Sequence, residues 1–317
     1  MYLGIDCGAT TSKVSAVRED GTFVSLQLRQ RPTNANLGPE AIIAGWVGGA
    51  QSFLDEEGFC WSDVAGVGLA IPGPYKAYGV LGRMPNMPAN LEGWEFLAGL
   101  TSAVTKRAGR SIPVVTANDG LLAGVAEAAF AQNHSPGSVL MLAPGSGLGC
   151  SFVNANGQLH NGDHQAAVIL CHSPAPYEVL GLPRFTCGCG RDWGCHEAYT
   201  SMSGLLQMIV HFLPEHPEHP LRYDTRTHKE NVLSLRDLAQ HADPLALRVF
   251  DTQAAALGLT VAAGCMAYDP SHVIIGGGLI DPGATSKEFR ERYLEGIQRS
   301  AARYLWVDSS AITYSTA

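Results

Sequence analysis

Two stretches of this chain, about 138 residues apart, follow one grammar. The first runs YLGID, an apolar strand ending on an acid, then the small, hydroxyl-rich CGATTS. KVSAVRE follows as a second strand, and Asp20-Gly21 turns it into a hairpin. The second stretch runs VLMLA, then PGSG, then LGCSFV, and closes on NANGQL. Gly8 to Gly21 is thirteen residues, and Gly145 to Gly157 is twelve. Small turns between strands of this kind signal hairpins. A unit that recurs once within 317 residues predicts two like domains, with ample chain for a large core.

The segments between the repeats complete an α/β pattern. Residues 40–56, 119–131, 234–249 and 251–267 carry apolar residues at helical spacing. SHVIIGGGLI (271–280) reads as a buried strand ending in a triple-glycine turn. Residues 213–230 hold three prolines and three histidines and read as a loop, because proline at that density breaks helices. Apolar residues make up 46% and charged residues 16%, an ordinary globular balance rather than a disordered one. The net charge of −8 and the lack of any Lys/Arg block argue against a nucleic-acid partner. Asp6 sits where a signal peptide needs an apolar run, and no stretch of about 18 uncharged apolar residues appears. The expected address is the cytoplasm, with no membrane partner.

That address bears on the thiols. RFTCGCGRDWGCHEAYTS (184–201) gathers Cys187, Cys189 and Cys195 within nine residues. The other five, Cys7, Cys60, Cys150, Cys171 and Cys265, sit singly in apolar or glycine-rich surroundings and read as small buried hydrophobes. Cytosolic thiols stay reduced, and Cys187-x-Cys189 is too close for easy bridging. Thiolates on a glycine-bearing turn can instead converge on one Zn²⁺, with a redox pair as the weaker alternative. A tetrahedral site needs a fourth ligand, for which His160, His164 and His172 are available.

The two glycine turns each follow an apolar strand, the usual way to present backbone N–H groups to phosphate. CGATTS adds hydroxyls at Thr10, Thr11 and Ser12, and PGSGLG adds Ser146. Neither matches the P-loop or the G-x-G-x-x-G pattern. With Gly276, Gly277 and Gly278 at a strand end, they suit a nucleotide whose phosphates lie in a cleft between like domains. In VVTANDGLLAG, Asn118 and Asp119 precede an amphipathic helix. One of them fits a helix cap. Asp119 also fits a general base, accepting the proton of a hydroxyl that attacks a γ-phosphate.

The chain resembles the ROK family (repressor, open reading frame, kinase) of sugar kinases, collinearly over nearly its whole length. GIDCGATTSK is similar to the family's first phosphate loop and APGSGLG to its second. GLAIPGPYKAYGVL followed by NLEGW, and TANDGLLAGVAEA, are similar to its P-G-P, N-L-x-x-W and N-D-x-x-x-A-x-x-E segments. CGCGRDWGCHE resembles its zinc signature, and DPSHVIIGGG its closing strand.

The resemblance implies two similar actin/hexokinase-like (ribonuclease H-like) domains with an interdomain cleft. Residues 1–117 would form the first, completed by a segment from about 300–317. Residues 118–299 would form the nucleotide-binding second, with a zinc insertion at about 172–197. It further implies a structural Zn²⁺ held by His172, Cys187, Cys189 and Cys195, with His164 as the fallback histidine. Asp119 becomes the catalytic base and also binds the sugar, together with Asn90 (with Asn86 as its rival), Asn118, His172 and Glu197, which hydrogen-bond its hydroxyls. Asp6, Gly8, Thr10, Thr11, Gly145, Ser146, Gly147 and Gly277 surround Mg²⁺ and ATP. The implied activity is transfer of the γ-phosphate to a hydroxyl, the 6-OH, of a hexose or N-acetylhexosamine by a homodimer.

Three departures bear on substrate. The family's E-x-G-H reads Ile169-Leu170-Cys171-His172, so an apolar side chain replaces the sugar-binding Glu. The zinc loop carries one extra residue between Cys189 and Cys195, and Pro144 precedes the second phosphate loop. Ile169 keeps a second expectation open, a catalytically silent sugar sensor. The family's repressors carry a helix-turn-helix before the first phosphate loop, which here begins at Asp6, and that reading is not expected.

Overall fold

A computed structural model describes residues 1–83, 88–163, 166–223, 228–306 and 308–317. It divides into two compact units, Met1–Leu122 with Asn161–Ala167, and Ala123–His160 with Val168–Ala317.

The first unit is built on a five-stranded sheet. β1 (Tyr2–Cys7), β2 (Thr11–Val17) and β3 (Arg29–Pro32) are antiparallel neighbours. β4 (Gly66–Ala70) lies parallel to β1 on its other side. A short hairpin, β5 (Tyr75–Ala77) with β6 (Val80–Leu81), stands apart. β7 (Val114–Ala117) lies parallel to β4 and completes the order β3-β2-β1-β4-β7. Alternation does what period-2 geometry requires: Leu3, Ile5 and Cys7 of β1 and Ser12, Val14 and Ala16 of β2 are buried.

Two helices join these strands. α1 (Pro39–Glu57) starts with proline at its first turn and stops at Gly58, whose φ of 76° caps its end. Its buried face, Ile42, Trp46, Gly49, Ala50, Phe53 and Leu54, follows helical spacing. α2 (Phe96–Ala108) buries Phe96, Leu100 and Val104 one turn apart. Both faces join Leu3, Ile5, Val14 and Leu69 in one core, and Trp46 stacks on Trp94 at 5.6 Å. Each fully buried side chain of this size stabilises the unit by about 1.5–3 kcal/mol.

α3 (Asp119–His134) follows β7 directly, and the division between the units falls within it. The second unit repeats the first. β8 (Val139–Pro144) and β9 (Leu148–Val153) form an antiparallel hairpin. α4 (Glu197–Thr200), α5 (Met202–Phe212), α6 (His228–Gln240) and α7 (Pro244–Tyr268) come before β10 (His272–Ile275), which is parallel to β8. α8 (Lys287–Ala302) then leads to β11 (Thr313–Thr316), parallel to β10. The order β9-β8-β10-β11 is therefore that of β2-β1-β4-β7, the same unit built twice. All four residues of β10 are buried, as an interior parallel strand demands.

Three boundaries differ from the expectations. The helices expected at 234–249 and 251–267 break instead at 241–243, and α7 runs unbroken for 25 residues. Ala242 turns with φ of 60°, Asp243 caps α7 by accepting from the Ala246 N–H, and Pro244 starts it. The C-terminal residues do not complete the first unit. Hydrogen bonding of β11 to β10 places them with the second. The expected loop at 213–230 holds two 3-10 turns, Leu213–Glu215 and Pro220–Tyr223, before α6; residues 224–227 lie outside the described residues. Among the described residues, α7 is the one helix long and apolar enough to cross a membrane. Fifteen of its residues are buried in the second unit, so its apolar length makes core.

Candidate active site and metal centre

In the first unit the turn from Gly8 to Thr11 is closed by the Gly8 N–H donating to the Thr11 carbonyl at 2.9 Å. Thr33, beside β3, clamps it from outside. Its hydroxyl donates to the Gly8 carbonyl at 2.7 Å and accepts from Ser12, and its N–H donates to the Thr10 carbonyl. Thr10 is exposed and Thr11 half-buried, so hydroxyls and N–H groups at this turn are within reach of a ligand. Asp6, next to last in β1, pairs with Lys13 at 3.2 Å, a half-exposed ion pair of little stabilising worth.

Asn118 and Asp119 divide two roles between them. Asn118 starts α3: its carbonyl accepts from the Leu122 N–H, and its Oδ1 accepts from the Gly120 N–H at 3.0 Å. The cap is thus supplied by Asn118, whose amide N–H₂ is left for another partner. Asp119 Oδ1 accepts the same Gly120 N–H at 2.9 Å. Its carboxyl reaches solvent but is surrounded by protein. The resulting desolvation, with the negative Asp6 adding to it, raises its pKa above the ordinary Asp value. A carboxyl of this kind is a stronger base than a fully solvated one. Asn90 is exposed in a 3-10 turn, Ala89–Leu91, while its rival Asn86 lies outside the described residues.

In the second unit the turn Gly145–Gly147 is closed by the Gly145 N–H donating to the Gly147 carbonyl at 2.8 Å. Ser146 at its tip is exposed. Gly277 follows β10 with φ of 89°, and a Cβ there would sit 2.4 Å from the Pro144 carbonyl oxygen. Only glycine fits that approach.

The cysteine cluster closes beside this turn. His172, Cys187, Cys189 and Cys195 offer four donor atoms that all lie within 4.8 Å of one another. The sulfurs of Cys189 and Cys195 are 3.6 Å apart, and Cys187 Sγ is 3.7 Å from His172 Nδ1. Zn–S bonds of about 2.3 Å in a tetrahedron give ligand separations of about 3.7 Å. Three soft sulfurs and one imidazole at these spacings fit a structural Zn²⁺, and all eight cysteines are free of disulfides. Without metal, burial pushes the Cys195 thiol up to about 11 and raises that of Cys187 further. His164 lies outside the described residues.

Several contacts that organise this site were not read from the sequence, which assigned Glu197 only to the sugar. Glu197 Oε2 accepts the Leu148 N–H at 2.9 Å, and Oε1 lies 3.5 Å from Cys187 Sγ. The Met202 N–H donates to the Gly145 carbonyl. His196 is buried and bonded to Thr260 of α7 at 2.8 Å, anchoring the turn between Cys195 and Glu197; burial lowers its pKa to about 4. Trp193 donates to the His172 carbonyl at 3.1 Å. Nothing local in the sequence marked His196, Leu148 or Thr33.

The family model described as the ROK family matches residues 2–313. The chain belongs to the ROK family. A glucokinase from Halalkalibacterium halodurans is 29% identical over 90% of this chain and 82% of its own length. An N-acetylgalactosamine kinase from Shewanella sp. strain ANA-3 is 26% identical over 88% of this chain and 82% of its own. Among solved structures, a ROK family glucokinase from Streptomyces griseus in complex with glucose and AMPPNP superposes with a TM-score of 0.71. It is 25% identical, over 99% of this chain and 93% of that one. The fold is that of the actin/hexokinase-like sugar kinases of this family.

Proposed function

We propose that this ROK protein is a cytoplasmic, ATP-dependent sugar kinase, acting on a hexose or N-acetylhexosamine and assembling as a homodimer. The observation that carries the reading is Asp119: a carboxyl of raised proton affinity, open to solvent at the start of α3, with its cap role taken over by Asn118. Relatives named glucokinase and N-acetylgalactosamine kinase support the substrate class.

In this reaction the sugar 6-hydroxyl oxygen attacks the γ-phosphorus, the bond to the ADP oxygen breaks, and the hydroxyl proton passes to Asp119. Asn90, Asn118, His172 and Glu197 position the sugar hydroxyls. Thr10 and Thr11, with Ser146, Gly147 and Gly277, present N–H and hydroxyl donors to the phosphates, on turns that the Gly8 and Gly145 N–H groups close from within. Asp6 offers the hard carboxylate oxygen that Mg²⁺ prefers, and Mg²⁺ when bound neutralises phosphate charge. His172, Cys187, Cys189 and Cys195 hold Zn²⁺ as a brace for the loop that carries Glu197.

Ile169, exposed in place of the family's Glu, sets the sugar preference. A sugar hydroxyl buried there on binding without an acceptor would cost about 1–3 kcal/mol. The test is ADP release with Mg-ATP across glucose, mannose, fructose, allose, glucosamine, N-acetylglucosamine, N-acetylgalactosamine and N-acetylmannosamine. Turnover on one sugar that disappears in Asp119→Asn supports the kinase. Silence on every sugar, with metal bound and the fold intact, favours the sensor that Ile169 also suggests. An Ile169→Glu variant with an unchanged sugar profile removes Ile169 from specificity.

A further inference from the structure

Glu197 is engaged on both of its oxygens within the second unit. Oε2 holds the N–H of Leu148, the first residue of β9 and the exit of the second glycine turn. Oε1 faces the sulfur of Cys187, one of the four metal donors. One carboxylate therefore spans the distance from the donor cluster to the turn. Its seat is close: a Cβ at position 147 would fall 2.7 Å from Oε2, so the carboxylate reaches Leu148 only because residue 147 is glycine. Five residues on, the Met202 N–H holds the Gly145 carbonyl at 2.8 Å. The segment 197–202 thus grips the turn at its entrance and at its exit.

We propose that Glu197 is a positioning residue that couples metal occupancy of the four-donor site to the geometry of the second glycine turn. Metal fixes Cys187 and Cys195, which bracket the loop running into α4, and so fixes the base of the Glu197 side chain. The carboxylate then holds the Leu148 N–H, and through it the backbone of the turn. With the four donors unlinked, this restraint slackens and the turn is held from the Met202 side alone. The inference rests on the kinase reading only in taking this turn as a phosphate site; the coupling itself needs no nucleotide.

Hydrogen exchange over residues 144–149 reads the coupling directly. It is measured on the full-length wild type, Glu197→Ala and Glu197→Gln, each zinc-loaded and chelator-stripped, with zinc content and thermal melting followed in parallel. The loss of one hydrogen bond predicts exchange at Leu148 about fivefold faster in stripped than in loaded wild type. Glu197→Ala exchanges at the fast rate whether or not zinc is present. Glu197→Gln, whose amide oxygen still accepts the N–H, restores slow exchange when loaded, which a merely space-filling role would not explain.

Titration with Mg-AMPPNP gives the functional arm: stripping weakens binding about fivefold in wild type and leaves Glu197→Ala unchanged. Exchange in wild type that ignores zinc, or a Glu197→Ala variant that keeps the full zinc dependence, overturns the proposal. If the stripped protein unfolds, the loaded proteins decide, and equal Leu148 exchange in wild type and Glu197→Ala refutes it. Coupled exchange without any AMPPNP binding upholds the coupling and refutes the nucleotide reading.

Discussion

A carboxylate that must take a proton works better when its own proton affinity is raised, and Asp119 meets that condition through desolvation and the nearby Asp6 charge. Asp119→Asn keeps the side-chain oxygen that accepts from Gly120, so the start of α3 survives while the proposed base is lost. The expected outcome is a fall in kcat of about 10²–10⁴-fold with sugar affinity retained, read by steady-state kinetics and calorimetry. The pH dependence follows from the same shift. If Asp119 is the base, activity needs its ionised form, so the acid limb of the rate profile should sit above the ordinary Asp value of 3.8. Stability runs the other way. A raised carboxyl favours the folded state fully below 3.8, and that contribution is lost as pH rises through the folded value. Asp119→Asn should therefore melt higher than wild type at pH 7 and no higher in acid below 3.8; a variant that melts lower at pH 7 contradicts the shift. Gly277 gives a second residue-scale prediction. An alanine there adopts a left-handed φ at a cost of about 1–2 kcal/mol. Its Cβ also meets the Pro144 carbonyl. Gly277→Ala should lower the melting temperature by roughly 4 °C or more and weaken AMPPNP binding.

At the scale of elements, what the sequence discloses depends on how local the determining contact is. The hairpins β1–β2 and β8–β9 were legible because alternation and the glycine turns lie within a dozen residues of one another. The stop between α6 and α7 was written in Asp243-Pro244 but hidden by apolar spacing that continues on both sides of it. β11 was not legible: three of the four residues of TYST are exposed, and only the free edge of β10 makes them a strand. The same rule governs the site. Three cysteines within nine residues suggested a metal site, whereas His172 lies 15 residues before Cys187 and only the family pattern singled it out. The Glu197–Leu148 bond spans 49 residues, and no local pattern carries it. The loop that carries the four donors has almost no regular structure of its own, and a metal bound there would give it order. Cys189→Ser should lose most of the zinc bound by wild type, measured by atomic absorption. It should also melt lower by more than about 4 °C, as should wild type after chelation. A loop that keeps its thermal stability without metal would leave zinc no bracing role.

At the scale of the molecule, the shared strand order of the two sheets gives the site residues a common address. Asp6 is next to last in β1 and Asp119 follows β7 in one unit; Gly145 follows β8 and Gly277 follows β10 in the other. In open sheets ligands bind beyond the carboxyl ends of the parallel strands, where N–H groups and helix starts are exposed together. A kinase must use such ends for two ligands, sugar and nucleotide, whereas a silent sensor needs only the first. Binding to the folded state alone stabilises it by RT ln(1 + [L]/Kd), about 2.7 kcal/mol at a hundredfold excess over Kd. Mg-AMPPNP and the accepted sugar should therefore each raise the melting temperature when added alone. Asp119→Asn should preserve both rises, since it removes the base and leaves the binding donors in place. A rise with sugar and none with Mg-AMPPNP at millimolar concentration would mean that the glycine turns hold no phosphate, and the enzyme reading would give way to the sensor.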